Sequence, residues 1–207
     1  MRLRLELILV LSGLALTACS SGHHKPGSTS DSATPKKAYQ ATYRVPRGNL
    51  FAEERIYADG RGHYRMEVDS TEELLPGTIV TLLDMNTHQT TVWTEGRNAK
   101  KAYATGPSPF IDPLRMMVAP ESYPKSNDMV SLGNKVIDGH RCHGWKNSSG
   151  SESWIDDDYG CVVYGKAGSA GESMKITSWS TSTPDAALFK PPPDYIKAPG
   201  AGTAQHR

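Results

Sequence analysis

The sequence predicts a mainly β protein: an antiparallel sheet of about ten short strands carrying one short inserted helix. Three observations predict it. Apolar and polar residues alternate with period two in stretch after stretch between residues 38 and 182. Clusters of Gly, Asn and Asp separate the stretches. Helices do not alternate with the strands, so parallel βαβ units are not called for.

The elements follow in order. Ala38–Val45 alternates, with Tyr39, Ala41, Tyr43 and Val45 on one face and Gln40, Thr42 and Arg44 on the other. Leu50–Ala58 continues the pattern, and Asp59-Gly60-Arg61-Gly62 supplies the positive-φ residues of a hairpin turn into His63–Val68. Thr78–Met85 is almost continuously apolar, as a strand covered on both faces would be. Turns at Asn86-Thr87 and Glu95–Asn98 lead into His88–Thr94 and Ala99–Ala104. Gly106-Pro107-Ser108-Pro109 then breaks the sheet. Asp112 as N-cap, Pro113 at the first helical position and the spacing of Leu114, Met117 and Val118 predict a helix over Phe110–Ala119, stopped by Pro120. Strands resume at Met129–Ile137, Arg141–Lys146, Ser153–Asp156, Cys161–Gly165 and Glu172–Ser182. Asp185 caps a last helical turn through Phe189, and Pro191–Pro193 closes the domain.

The start of the chain has a different logic. Arg2 and Arg4 precede an apolar run, Leu7–Leu11 and Leu14–Leu16, too short to span a bilayer core of about 30 Å. These are the dimensions of a secretory signal. It ends in Leu16-Thr17-Ala18-Cys19, which resembles the lipobox of bacterial lipoproteins. That resemblance implies cleavage after residue 18 and acylation of Cys19, and two or more acyl chains anchor a protein firmly. Ser20, rather than Asp, follows the cysteine, which in that family fits an outer-membrane destination; the periplasmic side is expected, although no residue of the chain sets the facing of the anchor. Residues 19–37 then read as the lipidated cysteine and a flexible Ser/Gly/Pro-rich tether, 38–195 as one β domain, and 196–207 as a loose tail.

Composition narrows the partners. The 207-residue chain has a formal charge of +1, and loss of residues 1–18 with Arg2, Arg4 and Glu6 leaves it neutral. Lys and Arg are scattered, so no basic stripe points to nucleic acid. Mean hydropathy is −0.50, which leaves no second membrane span. With Cys19 acylated, Cys142 and Cys161 remain as an even pair, which in an oxidising compartment suits a disulfide. Two separate buried thiols are the other reading. The strand pattern puts the two residues on strands flanking a short third one, so a direct bond needs that strand to end early.

The second half resembles a family of envelope proteins. The residues that carry the resemblance are Val136-Ile137-Asp138-Gly139 with Cys142 and Trp145, Trp154-Ile155-Asp156, Gly160-Cys161-Val162-Val163, and Pro184-Asp185 with Leu188-Phe189-Lys190-Pro191 and Tyr195. That family is similar in fold to the LolA/LolB/LppX lipoprotein carriers. The resemblance implies an unclosed antiparallel half-barrel, with the inserted helix as a plug. It implies non-catalytic binding of a lipid, acyl chain or other apolar ligand, with Phe110, Leu114, Met116, Met117 and Val118 as the lining. Met is well suited to a pocket of changing content, although the same helix could complete an ordinary core.

Other chemistry finds little support. There is no G-x-S-x-G, phosphate loop or H-E-x-x-H, and no cofactor is expected. His140, Cys142 and Cys161 are the best metal candidates, but two ligands on one strand face are not a site. Docking of an envelope protein on an exposed sheet edge is the remaining alternative.

Overall fold

In the computed structural model the described residues are 37–47, 50–70, 77–87, 89–96, 99–107, 129–168, 171 and 173–198. Twelve strands form one sheet. They are β1 (Tyr39–Arg47), β2 (Leu50–Ala58), β3 (His63–Ser70), β4 (Gly77–Asp84), β5 (Gln89–Glu95), β6 (Ala102–Pro107), β7 (Val130–Ile137), β8 (His140–Lys146), β9 (Glu152–Asp156), β10 (Val162–Lys166), β11 (Ser173–Ser180) and β12 (Ile196–Lys197). The order across the sheet is β12-β6-β5-β4-β3-β2-β1-β11-β10-β9-β8-β7. Two antiparallel meanders, β1 to β6 and β7 to β11, are joined where β11 pairs with β1. The ends β12 and β7 do not meet, so the sheet is unclosed, as expected.

Local chemistry explains the hairpins. At the β2–β3 turn, Asp59 Oδ1 accepts from the N–H groups of Arg61 (2.7 Å) and His63 (3.1 Å). Asp138 (φ +50°) and Gly139 (φ +86°) join β7 to β8 in a two-residue turn, which starts β8 at His140, one residue before the expected start. Backbone bonds Ala99 N–H to Gly96 O (3.2 Å) and Ala102 N–H to Lys100 O (2.8 Å) hold a turn where a strand from Ala99 is expected, so β6 starts at Ala102.

The C-terminal end differs more. Residues 196 and 197, expected as the start of a loose tail, form β12, parallel to β6. Ile196 N–H bonds Lys101 O (2.9 Å) and Ala198 N–H bonds Tyr103 O (2.7 Å). The segment reaching this strand begins with the expected turn, a 3-10 turn at Ala186–Phe189 capped by Asp185. The predicted helix Phe110–Ala119 lies outside the described residues, as do Phe110, Leu114, Met116, Met117, Val118 and Cys19.

The main core lies on one side of the sheet, here called the inner face. Cross-strand register aligns its rows: Tyr39, Ala58, Tyr64 and Leu83 in one, and Ala41, Ile56 and Met66 in the next. Tyr39, Tyr43, Ile56, Ala58, Tyr64 and Cys161 are fully buried within this cluster. Burying each of the larger side chains contributes about 1.5–3 kcal/mol.

The outer face carries a smaller cluster, Val80, Leu82 and Trp93 with Tyr103 and Tyr195 packed on it. This is why Thr78–Met85 reads as apolar on both sides. Beside it runs a charged ladder. Glu67 accepts from Arg65 Nε (2.6 Å) and Arg55 Nε (2.9 Å), and Glu95 accepts from Arg65 Nη2 (3.1 Å) and Trp93 Nε1 (2.8 Å). Arg65 Nη1 also donates to Leu188 O at 3.1 Å, tying the C-terminal segment down.

Candidate ligand-binding face

Tyr39, Ala41 and Tyr43 are placed on the inner face by the period of β1, with the small Ala41 between the two rings. Tyr39 stacks on Trp179 (centroids 4.9 Å, interplanar 16°), and Tyr159 meets both rings edge-on. Both tyrosine hydroxyls are fully buried, and among the described residues neither makes a well-formed hydrogen bond. Buried polar groups are nearly always paired, so two such hydroxyls on one strand face are unusual. Burial above all, and the nearby Cys161 thiol next, push both phenols well above the ordinary tyrosine range. Tyr43 faces that thiol, a weak hydrogen-bonding partner. Glu54, opposite Tyr43 on β2, is the charged member of this face and is also buried.

Next to the tyrosines lies a polar corner. Asp156 Oδ1 accepts from the N–H groups of Asp158 and Tyr159, both at 2.7 Å, and Oδ2 contacts His140 Nδ1 at 2.8 Å. The His140 ring meets Trp179 edge-on at 4.8 Å. Cys142 lies opposite Asp156 across the β8–β9 ladder, and Asp156 N–H donates to Cys161 O at 2.9 Å.

The expected pairing of Cys142 with Cys161 is not made, because the last residue of β9 stands between them; both are free, buried thiols. Burial first, then the Asp156 charge, pushes the Cys142 thiol up to about 12 and the Cys161 thiol higher still. Metal-binding thiolates are accordingly disfavoured, and His140 is already engaged with Asp156. Among the described residues no group of three His, Cys, Asp or Glu side chains is gathered to hold a metal, so His140, Cys142 and Cys161 do not form the site considered above.

The edge strand β7 is the other notable surface. Val130 is 67% exposed, Val136 65% and Leu132 39%. A bulge at Ser131–Gly133 interrupts its ladder with β8. Here the structure shows a relay that sequence reading missed: His143 Nε2 contacts Ser131 Oγ and His143 Nδ1 contacts Asn134 Oδ1, each at 2.8 Å. The order resembles a nucleophile, base and orienting group, but the relay is open to solvent and the Gly133 N–H beside it is given to Ser131 itself (3.2 Å). It pins the edge strand to β8. Only its spatial pairing, not its spacing in the chain, reveals it.

Two depressions also occur among the described residues. One of about 270 Å³ lies between the β3–β4 end and Phe189 and Pro191, and one of about 130 Å³ is lined by Gln40, Thr42, Arg55, Tyr57 and serines of β11. The first is lined by apolar and polar side chains alike, the second mainly by polar ones.

No protein-family model matches the chain, and no curated protein matches it. Among solved structures it is similar to an uncharacterised conserved protein from Thermus thermophilus, with a TM-score of 0.51 and 13% identity over 79% of this chain and 90% of that one. That similarity shows the fold. Looser likenesses are to a chain of the Pseudomonas aeruginosa MucA/MucB complex (TM-score 0.47, 15% identity, 79% of this chain and 58% of that one). Another is to the LolA superfamily protein NE2245 from Nitrosomonas europaea (TM-score 0.31, 9% identity, 75% and 91%). Likenesses this distant carry no functional assignment.

Proposed function

We propose that the protein is an outer-membrane lipoprotein, anchored through Cys19, whose half-barrel holds an acyl chain or another apolar ligand against its inner face without catalysing a reaction. The observation that carries this reading is the inner face itself: a run of tyrosine and aliphatic side chains across β1 to β4 of an unclosed sheet, bearing two buried hydroxyls without a well-formed hydrogen bond among the described residues. A sheet that does not close on itself must cover such a face with other chain or with a ligand. The test is lipid mass spectrometry of the full-length chain purified in dodecyl maltoside. A stoichiometric co-purified lipid, beyond the acyl groups on Cys19, is the expected result; a chain carrying none rejects the reading.

A second reading is favoured by Val130 and Val136 on β7. Exposed apolar residues along an unpaired edge suit the addition of a strand from an envelope protein partner. Changing Val136 to Lys would then abolish cross-linking to that partner while leaving lipid content unchanged.

A further inference from the structure

We infer that the partner taken up by the β7 edge is an extended acidic segment of an envelope protein, which pairs with Asn134–Ile137 and sets a carboxylate against Lys135 and an apolar side chain against Val136. This rests on the edge-docking reading above and adds to it the chemistry of the partner.

The edge is accessible. β7 is the last strand on its side of the sheet, so a row of its N–H and C=O groups faces away from β8. Val130, Leu132 and Val136 are exposed along it, where a strand that merely ended the sheet would carry polar side chains. The bulge at Ser131–Gly133, with the Gly133 N–H turned to Ser131 Oγ, interrupts the first half of the strand. Asn134 to Ile137 keeps an unbroken register with His143 to His140. That stretch is braced by the 2.8 Å contact of His143 Nδ1 with Asn134 Oδ1. A braced strand gives up little freedom when another is added to it.

Charge decides what is added. Between residues 130 and 146, Lys135, Arg141 and Lys146 stand against Asp138 alone. Lys146 pairs with Glu152 at 3.3 Å, and Arg141 reaches Asp158 at 3.4 Å. Lys135 is exposed, and among the described residues it pairs with no carboxylate; its ammonium stands 4.9 Å from the centroid of the Trp154 ring. Gly144 makes room for that ring, since a Cβ there would meet it at 2.6 Å. Successive side chains alternate between faces, so Lys135 offers a cation on one face and Val136 an apolar surface on the other. The complement is a strand in which acidic and apolar residues alternate. A second copy of the chain is a poor occupant, because two β7 edges bring two basic hairpins together with no acid for either Lys135. An anionic lipid or polysaccharide would meet the charge but leave the edge N–H and C=O groups unpaired.

The experiment titrates the full-length chain in dodecyl maltoside against three fluorescein-labelled peptides as long as β7, eight residues, and reads anisotropy with micelles alone as the blank. One peptide alternates valine with glutamate and one valine with lysine. The third keeps the glutamates but has proline in place of valine, so it carries the charge and cannot add a strand. The valine–glutamate peptide should bind at least about tenfold more tightly than the other two. Lys135→Glu, a change at an exposed position, should reverse the order of the two valine peptides. Equal binding of the two valine peptides overturns the acidic partner and leaves edge docking standing. Equal binding of the two glutamate peptides overturns strand addition in favour of contact by charge alone. Binding of the valine–glutamate peptide that is unaltered by Lys135→Glu overturns the assignment to this edge. No binding of any peptide overturns both readings.

Discussion

His140 and Asp156 join the start of β8 to the end of β9 through a 2.8 Å contact between Nδ1 and Oδ2, in a place where Asp156 is only 4% exposed. The same carboxylate closes the following turn by accepting two backbone N–H groups. One side chain thus fixes a strand pair and a turn, and through His140 it braces Trp179 against Tyr39.

Changing Asp156 to Ala should therefore destabilise the protein by about 3 kcal/mol, since it leaves two turn N–H groups and the imidazole without their acceptor. Changing it to Asn keeps one acceptor oxygen and should cost about half as much. Urea unfolding followed by tryptophan fluorescence measures both. Equal midpoints for the Ala variant and the unaltered chain would sink the account.

Arg65 makes a second long-range tie. It is 5% exposed, bonds Glu67 and Glu95, and reaches Leu188 O on the C-terminal segment. Arg65→Met preserves the stem but strands the acids, and should cost about 2–3 kcal/mol. The more telling readout is local. Lys197, held in β12, should become a trypsin site well before the sheet unfolds, whereas loss of the ladder alone would leave cleavage there unchanged.

How much of this was legible follows from where each partner lies in the chain. Tyr39, Ala41 and Tyr43 declare their face by alternation, and Asp59-Gly60 declares its turn, because both signals are local. The outer ladder is silent because alternation reads Arg55, Arg65 and Glu67 as solvated positions; Arg65, the buried one, is tied to Leu188, 123 residues further on. His140 carries a metal-ligand reading as long as its neighbours in sequence are considered. Its actual partner is 16 residues further on, brought back by the β8–β9 hairpin. Cys142 and Cys161 satisfy the even count for a disulfide, yet Asp156 occupies the position between them. β12 has no signal because two residues between Tyr195 and Ala198 are too few to carry a period.

The buried thiols and phenols make the fold sensitive to base. Burial lifts Cys142 to about 12 and raises Cys161, Tyr39 and Tyr43 above their ordinary values. The folded chain thus holds these protons more tightly than the unfolded chain. The stability this contributes is complete below the unfolded thiol pKa of about 8.5 and is lost progressively as pH rises above it. Thermal melting midpoints should fall from about pH 9 upward. At pH 8, iodoacetamide should label neither Cys142 nor Cys161 in the native protein at an appreciable rate and both after denaturation without reductant. A chain that takes up no label when denatured would show the two sulfurs bonded after all.

The proposed anchor rests on the N-terminal residues alone, and it can be tested apart from the fold. Leu16-Thr17-Ala18-Cys19 places a thiol directly after two small residues that end an apolar run, and acylation of that thiol is what the resemblance to a lipobox implies. Cells given labelled palmitate should incorporate it into the unaltered chain, and the protein should sediment with outer membranes. Cys19→Ser removes the acyl acceptor but no residue of the sheet. It should take up no label and leave the outer-membrane fraction, while material unfolded in urea keeps the same midpoint. Label retained by the Ser variant would place the acylation on another residue. Outer-membrane sedimentation without label would mean that the sheet itself, through a surface such as β7, holds the protein at the membrane.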